Sequence, residues 1–265
     1  MKTYFVDSFT KEKFKGNPAA VCILSEEIED RIMQQIATEI GFSETAFIKH
    51  VSENIYTIRF FTPKIEIPLC GHATLASSKI IFNTTSLDTI KFINCSNVEL
   101  PVEKMGDKIK MQFPVYDTEE TEIPKAMLDA LGIEKIINKR YSPNNNIILI
   151  EIENAEDLAN LTPDFTALLS SYKGINGVLV TAISNNNDFD FYYRYFWPWA
   201  GTNEDPVTGG VQTFLTKYWA TKLNKNKLSA YQSSQRTGTM STELLLDKVC
   251  ILGEAVIVLE GQLNP

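Results

Sequence analysis

The chain has 265 residues, 44% hydrophobic and 22% charged, a globular balance with room for one large domain or two ordinary ones. A net charge of −8 argues against a nucleic-acid partner, because phosphate contacts need clustered Lys and Arg. No apolar run reaches membrane-spanning length, and Asp7 stands where a signal peptide needs its apolar stretch; the expectation is a cytoplasmic protein with no membrane partner.

Residues 3–9 read as a strand. A polar turn at 11–15 leads to Gly16-Asn17-Pro18 and a buried strand ending at Leu24; Asn17, followed by proline, is held extended, which fixes where its amide points. Ser25 is placed to cap a helix over 26–40, in which Ile28, Ile32, Met33, Ile36 and Ile40 form one apolar stripe, and Gly41 stops it. The next strand opens at Phe42-Ser43-Glu44-Thr45-Ala46-Phe47. Glu44 lies there among apolar neighbours, and a carboxyl in such surroundings has a raised pKa and can exchange a proton near neutrality. The structural alternatives are an exposed strand Glu and a buried one paired with Arg59. After a strand over 55–61 comes Glu66, a second acid near the following loop, then Leu69-Cys70-Gly71-His72 and a helix over 73–82. The first free N–H groups of that helix offer a seat for a carboxylate or phosphate, His72 can hold or move a proton beside it, and Cys70 supplies a thiol. Strands over 89–95, 98–103 and 108–113 follow, and the acidic, proline-bounded stretch 114–123 reads as a linker.

The second half predicts helices over 125–131, 155–161 and 164–172 and strands over 135–140 and 147–151. Strands over 177–184 and 189–197 are joined by an Asn-rich turn. A helix over 211–222 precedes strands over 227–232, 239–246 and 249–259. Tyr193-Arg194-Tyr195-Phe196-Trp197-Pro198 echoes Ile58-Arg59-Phe60-Phe61-Thr62-Pro63, and each leads through a glycine-bearing turn into a helix. The pattern is an internal duplication, strand-rich with one long helix per half, and the class is α+β. The four cysteines have no CxxC spacing and suit reduced thiols; two histidines and no dinucleotide fingerprint leave no metal site and no organic cofactor in the expectation.

Five motifs, in order along essentially the whole chain, resemble the phenazine-biosynthesis (PhzF-like) isomerase family. They are Gly16-Asn17-Pro18-Ala19-Ala20-Val21, Phe42-Ser43-Glu44-Thr45-Ala46-Phe47, Arg59-Phe60-Phe61-Thr62-Pro63, Cys70-Gly71-His72-Ala73-Thr74 and Glu204-Asp205-Pro206-Val207-Thr208-Gly209. The late run from Ala230 to Gly238 looks like the family's C-terminal strand and turn. The resemblance implies a diaminopimelate-epimerase-like fold: two similar lobes, each a curved, mostly antiparallel sheet wrapped around a central helix, with the active site between them. The lobes would be residues 1–115, to which a last strand near 257–265 returns, and 116–265.

The family's catalytic Glu falls on Glu44, its helper His on His72 and its cleft Asp on Asp205. Asn17, Ser43, Cys70, Gly71, Gly209 and Gly210 fall where substrate is bound. The implied activity is a cofactor-independent proton shift within a small carboxylate-bearing substrate, and the family suggests a homodimer. Where many members carry Gly-Ser-Ala-His this chain has Gly209-Gly210-Val211-Gln212, which puts phenazine chemistry itself in question. Two other readings share the fold: an epimerase with two facing thiols, one of them Cys70, and a non-catalytic small-molecule binding protein.

Overall fold

The computed structural model describes residues 1–185 and 188–264. The first half runs β1 (Lys2–Ser8), β2 (Asn17–Leu24), α1 (Asp30–Ile40), β3 (Glu44–Ser52), β4 (Ile55–Phe61), β5 (Glu66–Ile67), α2 (Gly71–Thr84), β6 (Thr89–Ile93), β7 (Glu99–Met105) and β8 (Lys108–Pro114). The second half begins with β9 (Glu119–Glu120), α3 (Lys125–Leu131), β10 (Asn138–Ser142), β11 (Ile147–Ile152), α4 (Ala155–Asn160) and α5 (Phe165–Ser171). It continues with β12 (Gly177–Ile183), β13 (Phe191–Trp197), β14 (Thr202–Glu204), α6 (Gln212–Leu223), β15 (Lys227–Gln232), β16 (Gly238–Leu244), β17 (Lys248–Gly253) and β18 (Ala255–Gln262). The class is α+β. The chain falls into two compact units, one made of Met1–Phe113 with the segment from Cys250 onward, the other of Pro114–Val249. No helix among the described residues is long and apolar enough to cross a membrane.

The duplication is explicit in the strand pairing. In the first unit β1 pairs antiparallel with β2, β2 parallel with β3, β3 antiparallel with β4, β4 antiparallel with β5 and parallel with β6, and β6 antiparallel with β7. In the second, β10, β11, β12, β13, β14, β15 and β16 repeat every one of these pairings with the same polarity. Parallel neighbours need covered faces, and the sequence supplies them: β11 is buried at every position, and Ala19, Ala20, Val21 and Cys22 of β2 have no exposed surface.

Each unit has a helix buried nearly all round. Helix α2 packs against β1, β2, β3 and β18. It tolerates Thr74, Ser77 and Ser78 inside the core because each hydroxyl donates to the carbonyl four residues back, at 2.7, 2.8 and 2.7 Å. Helix α6 packs against β15 and β16, its Trp219 stacks on Phe191 with ring centroids 5.6 Å apart, and the indole N–H donates to Thr181 Oγ1 at 3.0 Å. Helix α1, by contrast, buries only Met33, Ile36 and Ala37 on one face.

Several expected boundaries move. Helix α1 starts at Asp30, not residue 26: Glu29 is its N-cap, no side chain caps it, and Glu27 is drawn instead into an ion pair with Lys49. Gly41 does end it, in the left-handed region at φ 72°. The single strand expected over 249–259 is two strands, because Glu254 leaves the ladder; its carbonyl accepts the Thr10 amide at 3.2 Å and its carboxylate meets Lys11 at 3.2 Å. Stretch 114–123 is docked along the second unit: β9 pairs with β10, the Tyr116 amide donates to Thr213 O at 2.8 Å, and Asp117 pairs with Lys217. The strand expected over 135–140 is shifted to Asn138–Ser142. Of the Asn-rich turn, Asn186 and Asn187 lie outside the described residues.

Candidate active site

Six of the expected site residues meet in the first unit. Gly16 makes the turn before β2 at φ 66°, where a Cβ would stand 2.1 Å from the Ser8 carbonyl oxygen, so only glycine fits. That turn places Asn17, fully buried, with its amide nitrogen 3.2 Å from Nδ1 of His72. Glu44 opens β3, opposite Ala19 of β2. Cys70 is the extended N-cap of α2, Gly71 its first residue and His72 the next, and the His72 carbonyl accepts from Ser8 Oγ at 2.8 Å.

The imidazole is the hub. Its Nε2 lies 3.1 Å from Glu44 Oε2 and 3.4 Å from Ser43 Oγ, and its Nδ1 lies 3.4 Å from Cys70 Sγ. Ser43 Oγ also reaches Asn17 Oδ1 at 3.5 Å. Glu44, Cys70 and His72 are 4%, 7% and 6% exposed, so these contacts act in a low dielectric. The Glu44–His72 approach has ion-pair length, yet no donor is aligned on Oε2 as a hydrogen bond, and that buried oxygen keeps an open lone pair.

Burial alone would raise the pKa of Glu44; the His72 charge, its contact and the Ser43 hydroxyl outweigh burial and hold the carboxyl below its ordinary range. This corrects the expectation of a raised value from apolar surroundings: the sequence shows the neighbours along the strand, but not the imidazole brought in from α2. Burial pushes His72 down, and Cys70 and Glu44 more than reverse it, leaving the imidazole well above its ordinary value. Burial pushes the Cys70 thiol up. At neutral pH the cluster is therefore a carboxylate, an imidazolium and a thiol.

Arg59 is not the partner of Glu44. It forks onto Glu66, with Nε and Nη2 each 2.7 Å from a carboxylate oxygen, and reaches Asp30 at 2.6 Å. Glu66 is thereby committed to a structural pair. The second unit repeats the device: Arg194 forks onto Glu204 at 2.7 and 2.8 Å and lies over Phe196, as Arg59 lies over Phe61.

Asp205, Gly209 and Gly210 fall in the second unit, on the turn before α6. That turn is held by residues to which the sequence motifs assign no site role. Gln232 of β15 accepts the Thr208 amide at 2.7 Å and donates to the Asp205 carbonyl at 2.5 Å. Ser234 donates to the Pro206 carbonyl, Tyr193 to the Thr208 carbonyl at 3.2 Å, and Thr208 Oγ1 to the Asp205 carboxylate. Ser8 on the first unit is likewise unflagged; it stands 64 residues from its partner, and no local pattern carries that contact.

The duplication also shows what the second unit lacks. Phe61 faces both Glu66 and Thr45, and Phe196 faces both Glu204 and Val178, so Glu44 corresponds to Gly177. At Gly177 a Cβ would stand 2.6 Å from the Tyr195 ring. Aligning Cys70-Gly71-His72 with Thr208-Gly209-Gly210 makes glycine the counterpart of His72 and threonine the counterpart of Cys70. The carboxylate–imidazole pair exists in one repeat only.

A duplicated α+β chain with one buried carboxylate–imidazole pair is similar over nearly its whole length to proteins described as isomerases. The family profile described as phenazine biosynthesis-like protein (PhzC-PhzF) matches residues 6–261. An uncharacterised isomerase from Halalkalibacterium halodurans is 41% identical over 98% of this chain and 97% of its own length. The crystal structure of a PhzF-family protein from Enterococcus faecalis superposes with a TM-score of 0.92 at 37% identity, covering 100% of this chain and 99% of that one. A Pseudomonas aeruginosa protein described as a predicted epimerase shares the fold, with a TM-score of 0.74 at 16% identity over 100% and 99% of the two chains. The chain belongs to the phenazine biosynthesis-like family and is an isomerase of that family.

Proposed function

We propose that the chain moves a proton within a small carboxylate-bearing substrate, cyclic or amino-acid-like, by general acid/base catalysis and without metal or organic cofactor. The observation that carries this reading is Glu44: a buried carboxylate held ionised by an imidazole 3.1 Å away, with one oxygen that no donor is aligned on. An ionised base with an open lone pair is ready to remove a proton from a C–H next to a conjugated or carbonyl system. Once protonated, Glu44 returns the proton to another carbon on the same face of the substrate. Throughout, the His72 imidazolium stabilises the negative charge that develops on the substrate as the Glu44 charge is neutralised.

The Asn17 amide nitrogen faces Nδ1, the contact of a ring that accepts there; an imidazolium donates from both nitrogens and calls for the amide oxygen in its place. One amide turn thus follows the proton. The N–H groups opening α2 at Gly71 and His72 suit the substrate carboxylate. Asp205 enters from the family resemblance, as the residue that orients a hydroxyl or amino group of the substrate. Gly210 carries no hydroxyl, and a Cβ built on it meets nothing within 4 Å, which favours a substrate larger or less polar there than one recognised through a serine.

The two-thiol reading loses its second base, because the counterpart of Cys70 is Thr208. The test is a screen of small cyclic and amino-acid-like carboxylates for deuterium uptake from solvent. Glu44→Gln keeps shape and binding, and it should lower exchange by roughly 10²–10⁴-fold. Cys70→Ala should be mild, and dialysis against a chelator should leave exchange undiminished. Normal exchange in Glu44→Gln, with exchange lost in Cys70→Ala, would reverse the assignment in favour of the thiol.

A further inference from the structure

We infer that Glu44, His72 and Cys70 together form a binding site for a thiophilic divalent cation of the zinc class, which blocks the carboxylate when it binds. Among the described residues this is the one group of three metal-ligating side chains whose donor atoms all lie within 4.8 Å of one another. The set is one oxygen, one nitrogen and one sulfur, the mixture zinc accepts.

Zinc bonds of about 2.0–2.3 Å in a tetrahedron put ligand atoms roughly 3.3–3.7 Å apart. Here His72 Nε2 is 3.1 Å from Glu44 Oε2 and 4.0 Å from Cys70 Sγ. The sulfur lies nearer Nδ1, at 3.4 Å, so the Cys70 side chain must turn towards Nε2 to complete the set. The backbone is already fixed: Cys70 and His72 open a 14-residue helix, and Ser8 holds the His72 carbonyl.

The second observation is the acceptor. Oε2 of Glu44 is buried 3.1 Å from His72 Nε2 with no donor aligned on it, so a cation between the two takes the place of the imidazole proton. With Nε2 on the metal, Nδ1–H needs an acceptor, which Asn17, its amide nitrogen 3.2 Å away, supplies when the amide turns its oxygen to the ring; that is the outer hydrogen bond that orients a ligating histidine. Three protein donors leave the fourth tetrahedral position to water or to a ligand carboxylate.

The charges balance. Binding Zn²⁺ to the carboxylate, imidazolium and thiol releases the imidazolium proton and the thiol proton to solvent. The product is a neutral Zn²⁺–carboxylate–imidazole–thiolate set. The lone pair Glu44 needs for proton abstraction is then coordinated, so the cation inhibits. Binding stands apart from the proton-transfer reading; inhibition rests on it. On that reading Cys70 takes no part in catalysis, and the cation site gives the thiol a role.

The test is titration with Co²⁺ followed by absorption, then displacement by Zn²⁺. The expected result is one Co²⁺ per chain with a thiolate-to-metal charge-transfer band. Cys70→Ala should abolish the band and weaken Zn²⁺ binding by more than the roughly 10–100-fold that outer-shell changes cost. Glu44→Gln should keep the band and weaken Zn²⁺ binding by at least the roughly 10–100-fold that outer-shell changes cost. Cys95→Ala, at an exposed thiol, should change nothing. A wild-type chain with no charge-transfer band, a band that survives Cys70→Ala, or unchanged Zn²⁺ affinity in Glu44→Gln would each overturn the assignment. Because the readout is binding, it separates from failure of the proton-transfer reading, in which exchange is absent while Co²⁺ still binds. If Cys70→Ala does not fold, the Glu44→Gln affinity alone decides.

Discussion

Replacing His72 with asparagine removes the charge that keeps Glu44 ionised, and the consequence should be written in the pH dependence of stability. In the wild-type chain Glu44 is depressed below its ordinary 4.5, so its contribution is present above that value and fades as pH falls through the folded value. His72 is raised above its ordinary 6.5, so its contribution is complete below that value and fades as pH rises through the higher folded one. The pair is therefore at full strength between 4.5 and 6.5. In His72→Asn the burial of Glu44 is opposed by the Ser43 hydroxyl alone and its pKa moves up. The variant's Glu44 then contributes stability at acid pH and loses it as pH rises, the opposite slope.

Breaking a buried pair by removing one partner costs about 3–5 kcal/mol. Protonation of Glu44 relieves part of that, so the loss at pH 6 should sit at or below the lower end and shrink towards pH 4. Urea denaturation of both proteins between pH 4 and 8 measures it. Wild-type and variant curves that run parallel across this range would show that the carboxylate and imidazole are not coupled, and the ionised-base reading would fail with them.

The two repeated arginine forks should differ in cost. Arg194 is 9% exposed and also donates to the carbonyls of Leu158, Ala159 and Leu161 at the end of α4, so Arg194→Met should cost about 3–5 kcal/mol by denaturation. Arg59 is 25% exposed beside a Glu66 that is 26% exposed, and Arg59→Met should cost about 1 kcal/mol; equal losses would contradict the burial argument. Gly177→Ala drives a methyl into the Tyr195 ring and should cost about 1–3 kcal/mol. Gly210→Ser enters open space, should stay within about 0.5 kcal/mol of wild type, and should shift which carboxylates exchange. Gln232→Ala removes both ties on the turn carrying Asp205, and amide hydrogen exchange at Thr208 should accelerate while β1 and β2 are unaffected.

Along the chain, most elements were legible because their signals are local. Alternation over 55–61 and 227–232 and the short apolar turn of 125–131 gave β4, β15 and α3 with the bounds observed. The echo of Arg59-Phe60-Phe61 in Arg194-Tyr195-Phe196 announced a duplication that the pairing polarity then repeats strand for strand. The site residues of the first unit were legible through their motifs, Asn17, Ser43, Glu44, Cys70 and His72 among them.

What the sequence could not supply was the electrostatics of their meeting. Glu44 reads as a carboxyl among apolar neighbours, and on that evidence its pKa should rise. The fold brings His72 from the start of α2 to within 3.1 Å of it, and the burial penalty, large by itself, is outweighed by the imidazole's charge and contact together with the Ser43 hydroxyl. The same holds for Arg59, released from Glu44 only because β5 folds back to present Glu66. It holds for Gln232, whose role depends on a turn 24 residues upstream. Periodicity and turn chemistry are properties of neighbours along the chain; ionisation is a property of neighbours in space, and only the tertiary structure decides who those are.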